Sequence, residues 1–229
     1  MNIANCPPVI DFHTHCLLSD GVLCPAEHAR RVEVSGYAVV GLADHADPGT
    51  MPGIIAAGRA SALALNGHME VRLLPGVELT HVPPSLIADE VKRARDLGAT
   101  HVVVHGESVV EPVAPGTNLA AIKAGADILA HPGLLTDGEA ALAAEKGVYL
   151  ELSGRGGHNI TNGLIAVLAK KHGAGILVNS DAHAPGDWLT PLRQKQVALG
   201  AGLSEDDYEK MMKDAARLAE IFFARLGGK

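Results

Sequence analysis

Cysteine is scarce in this chain of 229 residues. Cys6, Cys16 and Cys24 form an odd set with no CxxC spacing, which excludes a disulfide scaffold and fits a reducing cytoplasm. No apolar run approaches the ~18 residues that span a bilayer, so no membrane partner is expected. The N-terminal stretch has no basic segment followed by an apolar one, so it does not read as a secretion signal. No Lys/Arg cluster offsets the formal net charge of −7, which argues against long nucleic acids as partners. Linkers, low-complexity tracts and fixed-pattern repeats are missing too, and a single domain over residues 1–229 is expected. Aromatic residues make up only 3%, whereas histidine occurs 12 times with no consecutive run.

What is present is an alternation of short apolar strands with Ala-rich helical segments. The 47% hydrophobic and 20% charged content is that of a folded globular protein. Seven strands are predicted, at Pro8–His13, Tyr37–Ala43, Val71–Val77, His101–His105, Asp127–His131, Val148–Leu152 and Gly175–Asn179. Each is rich in Val, Ile or Leu, as parallel strands buried on both faces are. Helices are predicted at Pro25–Ser35, Ile54–Asn66, Pro84–Leu97, Asn118–Ala124, Asp137–Glu145 and Thr161–His172, with a C-terminal helix over 204–226. Gly36, Gly67, Gly98, Gly125, Gly147 and Gly173 stand where helices stop. The pattern points to an α/β barrel, with an open doubly wound sheet as the alternative.

Six of the seven strands deliver a metal-type ligand at the same end. They are His13, His15 and Asp20 after the first, then His45, Glu78, His105 and His131 after the next four, and Asp181 with His183 after the seventh. In a parallel barrel these ends meet on one rim. Residues two apart on a strand face the same way, so His13 can share a site with His15, and Asp181 with His183. Nine such groups exceed the four ligands of a single zinc and suit two or three divalent ions. Three ions bring about +6 against −3 from Asp20, Glu78 and Asp181, which favours an anionic substrate.

Other polar residues have lesser roles. Asp11 shares a strand face with His13 and can accept a hydrogen bond from a ligand imidazole, and Asp44 can do so locally. In the glycine-rich segment Ser153–Asn159, Arg155 can fork onto a phosphate and His158 can donate a proton or a hydrogen bond. Met51–Gly53 and Pro185–Pro191, with Trp188, are predicted rim loops. His28, His68 and His172 are expected to be solvated, His101 to lie toward the far end of its strand, and His81 to be at most peripheral.

In order along residues 9–185, the motifs His-Thr-His…Asp-Gly, Ala-Asp-His, Gly-Val-Glu, His-Gly, Ala-His-Pro-Gly and Ser-Asp-Ala-His resemble those of the PHP (polymerase and histidinol phosphatase) family, here free-standing. Ala43 stands where members often have Thr. The resemblance implies a distorted seven-stranded (β/α)7 barrel and up to three ions, commonly Zn, Mn or Fe. It makes all nine residues metal ligands, with Glu78 bridging. It also implies phosphoesterase chemistry of the histidinol-phosphatase type on a small phosphorylated metabolite, through metal-activated hydroxide. Phosphodiester or nucleotide hydrolysis, amidohydrolase-type C–N hydrolysis and a non-catalytic metal-stabilised module are the alternatives.

Overall fold

The computed structural model describes residues 6–227. In chain order the elements are β1 (Val9–Thr14), α1 (Pro25–Val34), β2 (Tyr37–Leu42), β3 (His45–Ala46), α2 (Met51–Leu65), β4 (Arg72–Pro75), β5 (Val77–Leu79), α3 (Ile87–Asp96) and β6 (Val102–His105). Then come α4 (Thr117–Ala124), β7 (Ile128–Ala130), α5 (Asp137–Lys146), β8 (Tyr149–Ser153), α6 (Asn162–His172), β9 (Ile176–Asn179), α7 (Pro191–Gly200) and α8 (Glu205–Gly227). The class is mixed α/β, and every strand pair is parallel.

The strands form two sheets, β1-β2-β4 and β3-β5-β6-β7-β8-β9. The strand predicted at Val71–Val77 is divided, Gly76 separating β4 from β5, and a short β3 lies beyond the predicted Tyr37–Ala43, separated from β2 by Ala43 and Asp44. The physical cause is local. Pro75 has no N–H to continue a ladder, and the Gly76 N–H turns to the carbonyls of Leu42 (2.9 Å) and Leu74 (3.1 Å). A side chain at Gly76 would collide with the His101 ring packed against it. At the other edge, the Phe12 N–H donates to Asn179 Oδ1 (3.0 Å), the Asp181 N–H to His13 O (2.9 Å) and the His15 N–H to Ala182 O (2.8 Å). These bonds join β1 to the segment leaving β9.

Strand side chains alternate between two apolar clusters, as a period of two requires. Val40, Leu42, Leu73, Val104, Leu129, Leu150 and Val178 pack outward against the helices. Phe12, Val39, Leu74, Val103, Ile128 and Leu177, drawn from both sheets, share an inner cluster. Its far end is covered by α8 through Ala215, Leu218, Ala219 and Phe222. The Phe222 ring meets Phe12 edge-on at 5.2 Å.

Some boundaries differ from the sequence reading. Met51–Gly53 forms the first turn of α2 rather than a loop, and α7 was not predicted. Its Thr190 accepts a hydrogen bond from the Arg193 N–H, and Pro191 occupies the first turn. Of this short helix only Gln194 and Ala198 are buried, so it shows no apolar stripe to read. The six glycines expected to stop helices all have positive φ; Gly147 (φ 68°) closes α5, accepting a geometry costly for any residue with a Cβ. No helix among the described residues is long and apolar enough to cross a membrane.

Candidate metal centre

The nine residues marked from sequence converge. His13 ends on β1 with His15 just beyond it, their rings 5.0 Å apart. His45 lies on β3, Glu78 on β5 and His105 at the end of β6. His131 follows β7, and Asp181 and His183 follow β9. Three non-glycine residues among those described have positive φ, and all three lie here: His81 (53°), His131 (26°) and Asp181 (54°). Such conformations are costly and persist only where the surroundings enforce them.

The nine fall into four overlapping donor sets within 4.8 Å each: His15, Asp20, His45 and His183; His13, His131 and Asp181; His13, His15 and Glu78; and Glu78, His105 and His131. A fifth set, His81, His105 and Glu111, shares His105. Glu78 is common ground. Its Oε1 lies 3.3 Å from His13 Nε2 and 3.8 Å from His131 Nε2, while its Oε2 lies 2.9 Å from His45 Nε2 and 3.9 Å from His15 Nε2. Asp181 Oδ1 stands 3.2 Å from His15 Nε2, and Asp20 Oδ2 stands 3.3 Å from His183 Nε2.

The groups that orient these ligands differ from those expected. Glu151 on β8 holds His13, its Oε2 accepting from Nδ1–H at 2.8 Å and from Asn179 Nδ2 at 3.0 Å. That leaves His13 Nε2 facing the cluster. Asp11 instead accepts the N–H of His13 and Ser180 and the Tyr37 hydroxyl. Asp44 accepts the N–H and S–H of Cys16 and the Ser19 hydroxyl, bracing the loop that carries Asp20. His105 Nδ1 lies 3.1 Å from Gly106 O and His183 Nδ1 lies 3.0 Å from Asp181 O, which turns each Nε2 inward. The strand predicted to lack a ligand thus supplies the carboxylate behind one. Its sequence signal was a charged residue in an otherwise apolar buried strand, Tyr-Leu-Glu-Leu-Ser.

Arg155 and His158 both reach the cluster. Arg155 Nη1 donates to Asp181 O (3.0 Å) and lies 2.8 Å from His183 Nδ1. His158 is buried, its ring tilted 31° against His131 at 4.2 Å, with Nδ1 2.7 Å from Ser108 Oγ. Glu111, from the 106–116 loop and unmarked in the sequence reading, gathers His105 (3.1 Å), His81 (3.3 Å) and His158 (3.3 Å). A polar residue in a loop gives no periodic signal by which to find it. His28 is buried rather than solvated, its Nε2 3.1 Å from Thr14 Oγ1, while His68 is exposed and His172 half-buried beside Asp137. His101 is buried at the start of β6, its Nε2 2.8 Å from Phe12 O. Trp188 packs edge-on against His28.

The electrostatics suit a cation. Burial holds His15 and His131 well below the usual imidazole range, with neighbouring imidazoles adding to the effect, so both offer lone pairs. Burial also pulls His13 down, but Glu151, Glu78 and Asp181 outweigh it and hold its pKa well above the ordinary value. Burial, reinforced by Glu78 and Glu151, pushes Asp181 up to about 8. For Glu78 the same burial is outweighed by the charge of His13 and by His45, whose Nε2 lies 2.9 Å from Oε2, and these keep its carboxyl well below the usual range. Of the ten buried side-chain nitrogen and oxygen atoms without a hydrogen-bond partner among the described residues, five belong to these ligands: His13 Nε2, both ring nitrogens of His15, Glu78 Oε1 and His131 Nδ1. Orphaned buried donors and acceptors are costly. Nitrogen and carboxylate donors crowded this way fit divalent ions such as Zn, Mn or Fe.

No family model matches the chain. The uncharacterized protein MJ1295 of Methanocaldococcus jannaschii is 43% identical over 204 residues, covering 88% of this chain and 94% of that protein. Among solved structures, a chain of an archaeal ribonuclease P with mature tRNA superposes with TM-score 0.65 at 18% identity, covering 93% of this chain and 90% of that one. The histidinol phosphate phosphatase of Lactococcus lactis, complexed with zinc, L-histidinol and phosphate, gives TM-score 0.61 at 15% identity over 85% of this chain and 94% of its own. The structures of YwqE from Bacillus subtilis and CpsB from Streptococcus pneumoniae, metal-dependent tyrosine phosphatases, give 0.58 at 17% identity over 93% and 95%. An amidohydrolase is matched at similar depth.

Proposed function

We propose, for a chain that belongs to the same family as M. jannaschii MJ1295 and has a PHP-like fold, that it is a metal-dependent phosphoesterase acting on a small phosphorylated metabolite. A monoesterase of the histidinol-phosphatase type is the form favoured. The observation that carries this reading is the set of nine His, Asp and Glu side chains in four overlapping clusters, joined through the two-sided Glu78 carboxylate. We read the two sheets, which share one inner apolar cluster and are tied from β1 to β9, as one distorted seven-stranded barrel forming a single domain. The free thiols of Cys6, Cys16 and Cys24 are in keeping with a reducing cytoplasm.

His13, His15, Asp20, His45, Glu78, His105, His131, Asp181 and His183 would hold two or three divalent ions. Bound there, such ions supply water of lowered pKa and neutralise charge developing on a phosphate. The chain's own residues do the rest. Glu151 fixes the His13 tautomer, and the carbonyl of Gly106 fixes that of His105. Arg155, one-third exposed at the edge, offers its remaining N–H groups to a phosphate oxygen pair. His158, backed by Ser108, is placed to give a hydrogen bond or a proton to the ester oxygen.

The test is phosphate release by protein loaded separately with Zn, Mn or Fe(II), over histidinol phosphate, other small monoesters and model diesters, with a chelated control. Monoester hydrolysis abolished by chelator is the expected result, with Arg155→Ala raising KM or lowering kcat. Cleavage of diesters alone moves the assignment to phosphodiesterase. Silence with every metal, or release of amines from amide substrates instead, overturns it.

A further inference from the structure

The metal centre uses the C-terminal ends of the strands; the opposite ends frame a cleft of about 910 Å³. It is bounded by the ends of α3, α4 and α5, the start of β8 and one side of α8. Five cations line it: Arg59 from α2, Arg95 from α3, Lys146 from α5, and Arg217 and Arg225 from α8. Only two carboxylates do, giving a local +3 on a chain whose total is −7. Even those two are committed. Asp96 is paired with Lys92 at 2.6 Å, and Asp127 is shared between Arg225 (2.8 Å) and Arg95 (3.3 Å). Glu145 and Asp214 approach Lys146 and Arg217 at 3.3 and 3.7 Å, and neither lines the cleft.

Basic side chains near helix ends commonly satisfy terminal carbonyls. Backbone carbonyls take one nitrogen of three of the four guanidinium groups here. Arg59 Nη1 donates to Gly98 O, Arg95 Nη2 to Gly125 O, and Arg225 Nη1 to Thr100 O. Arg217 Nη2 donates to the Tyr149 hydroxyl at 2.7 Å. In all four the other terminal nitrogen and Nε have no partner among the described residues. Each planar donor group is thus anchored on one side and open on the other, the form suited to paired phosphate oxygens. Without an anion, five like charges repel across one concavity.

We propose that this cleft binds a small molecule carrying clustered phosphate groups, at a site separate from the metal centre. Because α8 contributes two of the five cations and α2, α3 and α5 the rest, a bound polyanion ties α8 to the body of the fold.

Inorganic tripolyphosphate is the probe, titrated calorimetrically into the metal-loaded wild type, into Glu78→Gln, and into the charge-reversed Lys146→Glu/Arg217→Glu. Lys146 and Arg217 are exposed, so the fold should survive, and Lys146→Glu alone is measured in parallel. The expected result is saturable binding in wild type and Glu78→Gln alike, weakened roughly tenfold or more by the double reversal, less by the single one, and by added salt. The unfolding midpoint should rise with tripolyphosphate in the first two proteins only. No binding to wild type overturns the proposal and leaves the cations to the helix ends. Binding lost in Glu78→Gln but kept in the double reversal also overturns it, by moving the anion to the metal centre.

Discussion

Glu78 stands between two pairs of imidazoles, and few of its contacts are interchangeable: His13 and His131 face one oxygen, His45 and His15 the other. The nine clustered residues were legible because each follows an apolar run at the same strand end. Glu151 was not marked, since it points inward from mid-strand and announces itself only as a charge where burial forbids one. Glu111 was illegible because its partners, His81, His105 and His158, come from three separate segments. The Glu151 assignment makes a specific prediction. Glu151→Gln keeps the shape but removes the charge behind His13, and metal affinity should fall about 10–100-fold with the fold intact. Competition against a chelator of known affinity measures this; unchanged affinity would reduce Glu151 to an ordinary buried partner.

Most elements follow from composition: apolar runs became parallel strands, and glycines ended the helices between them. What escaped was set by tertiary contacts. The breaks after β2 and β4 arise where the Gly76 N–H turns to Leu42 O and where the His101 ring needs the space of a missing side chain. The prediction at this scale concerns two histidines that join elements. His28 links α1 to β1, and His101 links β6 to β1. Burial pushes both down to about 4 from an ordinary 6.5. Between those values the unfolded chain binds protons that the folded one refuses, so stability is full above pH 6.5 and declines as pH falls toward 4. The loss is roughly 3 kcal/mol for each. Denaturant unfolding at pH 7 and pH 4.5 reads it, and His28→Gln should shrink the difference; an unchanged pH slope in that variant would show that His28 is not kept neutral.

On the scale of the whole molecule, the two ends of the strands are chemically opposed. One end gathers imidazoles and carboxylates with unsatisfied atoms, the other a surplus of guanidinium groups. Metal removal should therefore cost stability as well as activity. With a site filled at ~100 times its Kd the ion contributes about 2.7 kcal/mol, which for a chain of this size is about 5–10 °C in Tm. Calorimetry with chelator, then with zinc restored, checks this. A midpoint indifferent to both would mean that the cluster holds no ion.

The seam between β1 and the segment after β9 also governs when the centre can exist. The Phe12–Asn179 bond that helps close it joins residues 167 apart in sequence. His13 and His15 lie on one side of that seam, Asp181 and His183 on the other. Contacts of such long sequence separation form late, after their loop-closure entropy has been met by nearer pairings. While that seam is open the two donor sets that draw on Asp181 and His183 are incomplete, so capture of the full ion complement becomes a reporter of completed folding.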